Sequence, residues 1–173
     1  FLRAMEFNRL LSSAISTYGK SEFESNVISK NEDFDKPKIS NKNYVLISKV
    51  NEISEYLMQA EDKGELCIDT ETSSLDPHQA DLIGISLSTK IGYSCYIPLG
   101  HKNYDNLNEK SVLSLLKPVL EDKSVKKIGQ NIKFDFIVLY KRGIEMNSLE
   151  DTMLMSYVLD AGKNRHNMDT LAK

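Results

Sequence analysis

The sequence predicts an α/β domain in which a central mixed β-sheet is flanked by helices. Two observations carry that class. Short β-prone apolar runs and segments of helical period follow one another from residue 44 onward, in the order strand, helix, three strands, helix, strand and further helices. The first of the three consecutive strands runs straight into acidic residues, at the strand end where open α/β sheets place their chemistry. The composition agrees with a globular domain: of 173 residues, 40% are hydrophobic and 27% charged.

Before that domain, Leu2, Met5, Leu10, Leu11, Ala14 and Ile15 recur near helical spacing and predict an amphipathic helix over 1–18. Residues 19–43 are polar, charged and almost without periodicity, which predicts a linker. The domain proper then covers 44–173. YVLIS (44–48) is a β-prone run, and Asn51 and Ser54 open a helix that presents Ile53, Leu57 and Met58 on one side and stops at Gly64. ELCIDTE (65–71) reads as a buried strand, and DLIGISLS (81–88) and YSCYIPL (93–99) are strands joined by TKIG at hairpin length. A helix over Glu109–Leu120 carries Pro118 in its last turn. KKIG (126–129) is a short strand, NIKFDFIVLYKRG (131–143) a helix ended by Gly143, and Leu149–Asp151 leads into a helix over 152–161. GKNRHN (162–167) is a basic loop, and another helix begins after it.

The net charge of −3 conceals an asymmetry. Residues 1–109 carry 11 Lys+Arg against 17 Asp+Glu, whereas residues 110–173 carry 11 against 8. A mildly acidic total argues against a protein that grips nucleic acid by bulk charge, yet leaves room for an enzyme whose carboxylates hold metal ions. No apolar run reaches the roughly 18–20 residues of a membrane span. Two cysteines, Cys67 and Cys95, make no disulfide framework and read as small core residues. With no signal sequence in view, a cytoplasmic setting is the expectation. Position 1 is Phe rather than Met, and the expectation is a fragment of a longer chain.

Two pieces carry the chemistry. On a strand, Asp69 and Glu71 share one face at the exit of Leu66-Cys67-Ile68. Two carboxylates held that close repel unless one takes a proton or a cation intervenes, and hard oxygen ligands suit Mg²⁺ or Mn²⁺. An acidic turn after a strand would give the same residues. Sixty-six residues beyond Asp69, Asp135 lies amid Ile132, Phe134, Phe136 and Ile137, just after Gly129-Gln130-Asn131 at a strand-to-helix junction. If buried there it needs a partner or a metal; if exposed it merely complements the helix dipole. Asn131 is the natural N-cap of that helix, and Asp151 that of the helix after it.

Asp-x-Glu after an apolar strand, then Asn-x-x-x-Asp at a later junction, resembles the 3′→5′ exonuclease family of the ribonuclease-H-like fold. The nearer likeness is to the proofreading domain of bacterial DNA polymerase I. It runs through CIDTETSSLDP, KIGQNIKFD, EDTMLMSYVLDAGKNRHNMDTLA and the opening FLRAMEFNRLL, which looks like the end of a 5′-nuclease domain. The resemblance implies a three-layer fold and hydrolysis of the 3′-terminal phosphodiester of DNA by two divalent ions, releasing nucleoside monophosphates. Asp69 would bridge both ions, Glu71 would hold the one that activates water, and Asp135 would support the other. Leu75 would wedge against the terminal base, Gln130, Asn131 and Lys133 would lie near the scissile phosphate, Phe134 would lie near the terminal nucleotides, and Arg165 would hold a backbone phosphate. Leu75 and Phe134 also fit plain packing, and Lys133 also fits a solvated helix charge. The implied partners are a single-stranded DNA 3′ end and the 5′-nuclease and polymerase domains of one full-length, monomeric replication and repair enzyme.

The family also uses a later Tyr-x-x-x-Asp, and this sequence contains none: Tyr157 is followed four residues on by Ala161. The expectation is therefore little exonuclease activity from this chain alone. The other readings are a non-catalytic spacer or DNA-binding domain and a ribonuclease-D-like RNA exonuclease. The incoming helix and linker speak against the latter.

Overall fold

The computed structural model describes Leu2, Met5 and residues 7–19, 43–160 and 165–171. The chain divides into two units, residues 1–36 and 37–173. In the first, α1 spans Asn8–Tyr18, starts from Phe7 without a side-chain cap, and buries none of its residues. The expected linker over 19–43 falls, except for its end residues, outside the described residues.

The second unit is built on one six-stranded mixed sheet. Its strands are β1 (Tyr44–Leu46), β2 (Glu65–Thr72), β3 (Leu82–Lys90), β4 (Tyr93–Pro98), β5 (Lys126–Gly129) and β6 (Leu149–Asp151). Their spatial order is β1-β4-β3-β2-β5-β6. β2, β3 and β4 form the antiparallel meander, and β1, β5 and β6 add in parallel at the two sides. β6 was expected only as a lead-in. Three residues are too few for a periodic signal, and it is pairing with β5 that makes them a strand.

The helices are α2 (Ile53–Lys63), α3 (Glu109–Glu121), α4 (Lys133–Tyr140), α5 (Thr152–Asp160) and α6 (Met168–Leu171). A short 3₁₀ turn, Val50–Glu52, precedes α2, and the Glu52 carboxylate accepts from the Ser48 and Lys49 N–H groups. Asn51 precedes α2 and Ser54 lies in its first turn, as expected, while the Glu52 side chain holds the backbone before the helix. Gly64, at φ 72°, ends α2 in the left-handed region that few other residues enter cheaply. Pro118 sits inside α3, which runs on to Glu121.

Period-2 burial decides which way β2 faces. Leu66, Ile68 and Thr70 point into the core, and Glu65, Cys67, Asp69 and Glu71 point out. The core beneath joins Ile53, Tyr56 and Leu57 of α2, Val112, Leu116 and Leu120 of α3, and Ile85, Leu87, Cys95 and Ile97 of the meander. Each such large side chain contributes about 1.5–3 kcal/mol by leaving water. β2 is therefore buried on one face only, and Cys67 is exposed rather than a core residue, while Cys95 is buried as expected. Arg142 fixes the end of α4: it pairs with Glu109 at 3.0 Å and donates to the Val138 and Ala80 carbonyls.

Candidate active site

The outer face of β2 and the start of α4 meet at an open cleft of about 430 Å³, lined by residues 69–75 together with Gln130, Asn131, Phe134 and Asp135. Pairing with β3 slips by one residue between Glu71 and Thr72, so β2 leaves the sheet just after its acidic pair. Asp69 and Glu71 stand side by side on the accessible face. No Lys, Arg or His among the described residues forms an ion pair with either of them.

Asp135 is buried, 3% exposed, so its carboxylate needs a partner inside the protein. That partner is Thr70, whose hydroxyl and N–H donate to Oδ1 at 2.6 and 2.8 Å. The strand alternation that turns Asp69 and Glu71 outward turns Thr70 inward to meet α4. Burial raises the Asp135 pKa against the opposing pull of these two bonds, and Asp151 adds to the rise. Burial, then Asp135 and Glu71, push the Asp69 carboxyl up to about 6.

Asn131 differs from its expected role as N-cap. Its backbone is left-handed, φ 56°, and the residue before α4 is Ile132, with no side-chain cap. A positive φ aims the chain into the cleft at the cost of the capping geometry. The Asn131 N–H instead donates to Asp151 Oδ1 at 3.0 Å. Asp151 also accepts from the Met153 N–H at 2.9 Å, so it caps α5 as expected and holds Asn131 as well.

The remaining expected residues divide. Leu75 lines the cleft and is 96% exposed, an apolar side chain standing free at its edge. Phe134 lines it too while packing against the core. Gln130 lines it, with its amide bonded to Thr152 and to the His166 carbonyl. Lys133 does not line it: one residue beyond Ile132, the helix turns Lys133 toward a neighbouring apolar groove of about 790 Å³ between α4 and α5. Arg165 is exposed and outside the cleft lining. Sequence reasoning missed Thr70, Thr152 and His166. Of these only Thr70 had a readable signal, its inward place between two outward carboxylates.

The donor set fits a hard divalent cation: two adjacent carboxylates without cationic partners among the described residues, one of them, Asp69, held toward its neutral form by burial first and then by the charges of Asp135 and Glu71. Among the described residues no group of three His, Cys, Asp or Glu side chains is arranged to hold a metal ion, so Asp69, Glu71 and Asp135 line one cleft without forming a closed ligand set.

A mixed sheet whose central strand β2 pairs antiparallel with β3 and parallel with β5, ends in an acidic pair and is faced by a buried aspartate from α4 has the ribonuclease-H-like fold expected of the exonuclease class. Residues 44–173 match the family model described as 3′-5′ exonuclease, and the chain belongs to that family. It is 41% identical over 151 residues to DNA polymerase I of Rhizobium leguminosarum, covering 75% of this chain and 15% of that protein. The chain thus corresponds to the exonuclease domain of a relative several times its length. Among solved structures, Brucella melitensis NrnC with bound Mg²⁺ aligns at TM-score 0.52 and 21% identity, covering 73% of this chain and 57% of that one. Trypanosoma brucei RNase D in its GMP complex aligns at 0.56 and 10% identity, covering 68% and 36%. At these identities the structures establish the fold. The sequence relative is a DNA polymerase, whereas the likeness to RNase D, at 10% identity, is one of fold alone. No helix among the described residues is long and apolar enough to cross a membrane.

Proposed function

We propose that this chain supplies the proofreading 3′→5′ exonuclease site of a family A DNA polymerase acting in bacterial replication and repair. The observation that carries the reading is the Asp69–Glu71 pair on the open face of β2, backed by the Thr70–Asp135 hydrogen bonds. The substrate is the single-stranded 3′ end of DNA, the products are nucleoside monophosphates, and the setting is the cytoplasm. The partners are the 5′-nuclease and polymerase domains of the same monomeric chain.

Asp69, Glu71 and Asp135 are the proposed holders of two Mg²⁺ or Mn²⁺ ions. When bound, such ions stabilise the charge that develops on the phosphoryl oxygens during hydrolysis. The chain's own residues then orient the strand. Leu75 and Phe134 offer apolar surface to the terminal bases without regard to sequence, and the Arg165 guanidinium pairs with a backbone phosphate. Asn131, which lines the cleft, offers its side-chain amide to a phosphate near the reacting bond, and Lys133 adds charge beside the cleft rather than within it.

The test gives 5′-labelled single-stranded DNA and Mg²⁺ to this chain and to one lengthened by about fifty residues of helical sequence from a polymerase relative. Stepwise 3′ shortening by the longer chain, lost in its Asp69→Ala/Glu71→Ala variant, is the expected result. Shortening that survives the double substitution overturns the assignment.

A further inference from the structure

Gln130 has little left to offer a substrate. Its Nε2 donates to the His166 carbonyl at 2.8 Å, and its Oε1 accepts from the Thr152 hydroxyl at 2.6 Å. The same hydroxyl lies 3.1 Å from the Gly129 carbonyl, so its single hydrogen is shared between two acceptors at the end of β5, the shorter contact being to Gln130. His166 is buried, 7% exposed. Its Nδ1 lies 2.7 Å from Ser156 Oγ, and its ring rests on Tyr157 with centroids 3.9 Å apart. Met168, two residues on, lines a second cavity of about 310 Å³ together with Asp69, Gln130 and Thr152. The segment 165–171 is therefore anchored over the catalytic face of the sheet, beside Asp69, and the Gln130 amide is its tie to the cleft. Arg165 immediately precedes the anchored residue and is itself exposed.

We propose that Gln130 is a positioning residue rather than a phosphate ligand: with Thr152 and His166 it latches segment 165–171 to the end of β5 and so fixes where Arg165 meets the nucleic-acid backbone. The proposal rests on the reading of Arg165 as a phosphate contact. The amide keeps one N–H and one lone pair, but both its ends are engaged within the protein, as a latch requires and a direct phosphate ligand does not.

Two measurements on the 173-residue chain test it. Hydrogen exchange is compared for the wild type, Gln130→Met and Thr152→Val. Gln130→Met removes both bonds of the amide, including the one to the His166 carbonyl, and Thr152→Val removes the hydroxyl that holds the amide, each with little change in side-chain bulk. Exchange over 165–171 is expected to quicken by about fivefold, the equivalent of one lost hydrogen bond, while α3 stays unchanged and reports an intact fold. Binding of a fluorescein-labelled single-stranded oligonucleotide is expected to weaken by a similar factor in Gln130→Met and to show no further loss in an Arg165→Ala background. Unchanged exchange over 165–171 overturns the latch. So do independent, multiplying losses for Gln130→Met and Arg165→Ala, which mark two separate ligands. Quickened exchange in a chain whose wild type binds no oligonucleotide supports the latch and counts against Arg165 as a phosphate contact.

Discussion

Thr70 and Asp135, sixty-five residues apart in sequence, share one carboxylate oxygen: the threonine hydroxyl and N–H both donate to Asp135 Oδ1, at 2.6 and 2.8 Å. The pair joins the middle of the acidic strand to the first turn of α4. It lets a carboxylate be buried without a cation and fixes its place relative to Asp69 and Glu71. Thr70→Val keeps the shape and the N–H bond but removes the hydroxyl. A hydrogen bond to a buried charged group contributes about 1.5–3 kcal/mol, so a loss near 2 kcal/mol is expected in urea unfolding, with Thr70→Ser losing less.

The pH dependence has a definite sign at Asp69. Its carboxyl titrates near 6 in the folded protein against an ordinary value of 3.8. A raised folded-state pKa gives stability that is fully present below 3.8 and lost as pH climbs toward 6. The melting temperature of wild type should therefore fall relative to Asp69→Asn between pH 4 and about 6.5 and then run parallel to it. A gap that stays constant over that window would contradict the raised Asp69 pKa that burial, and then the neighbouring Asp135 and Glu71 carboxylates, produce.

Gly84 sits opposite Glu71 in the β2–β3 register. A methyl group there would lie 2.0 Å from the Tyr96 hydroxyl oxygen, and that oxygen is held 2.7 Å from His101 Nε2. Gly84→Ala must displace the phenol, with an expected loss of about 1–3 kcal/mol. The loss should shrink when Tyr96→Ala is made first, because the clash is then gone. Chemical denaturation of the four chains measures both effects.

Lys127 is fully buried, and its ammonium donates to the Asp122 and Val125 carbonyls at 2.5 Å each, just past the end of α3. A cation there satisfies carbonyls that the helix cannot and complements the dipole. Burial pulls the Lys127 pKa down, but nearby Asp122 opposes the shift. Lys127→Met retains the apolar stem and abandons those carbonyls, with an expected loss of about 2 kcal/mol by guanidinium unfolding.

The strands legible in the sequence were those with an apolar run long enough to show a period. KKIG is β5 to the residue, and the two meander strands differ from expectation only at their ends. The acidic pair was legible for the same reason, since alternation alone puts Asp69 and Glu71 together. What escaped depends on contacts between distant segments. β6 exists because β5 lies beside it, the Asn131 backbone is left-handed with Asp151 holding its N–H, and Lys133 is turned from the cleft by the rotation of α4. Cys67 looked like core because an apolar run does not say how many of its faces are covered.

The most direct test of the acidic cleft is Mn²⁺ binding to the 173-residue chain at pH 7.5, followed by electron paramagnetic resonance of the free ion. Saturable binding that disappears in Asp69→Asn/Glu71→Gln, with both proteins equally folded by circular dichroism, is the predicted result. Binding unchanged by the double substitution, or none in the wild-type chain, would contradict the assignment of these carboxylates as the metal-holding centre.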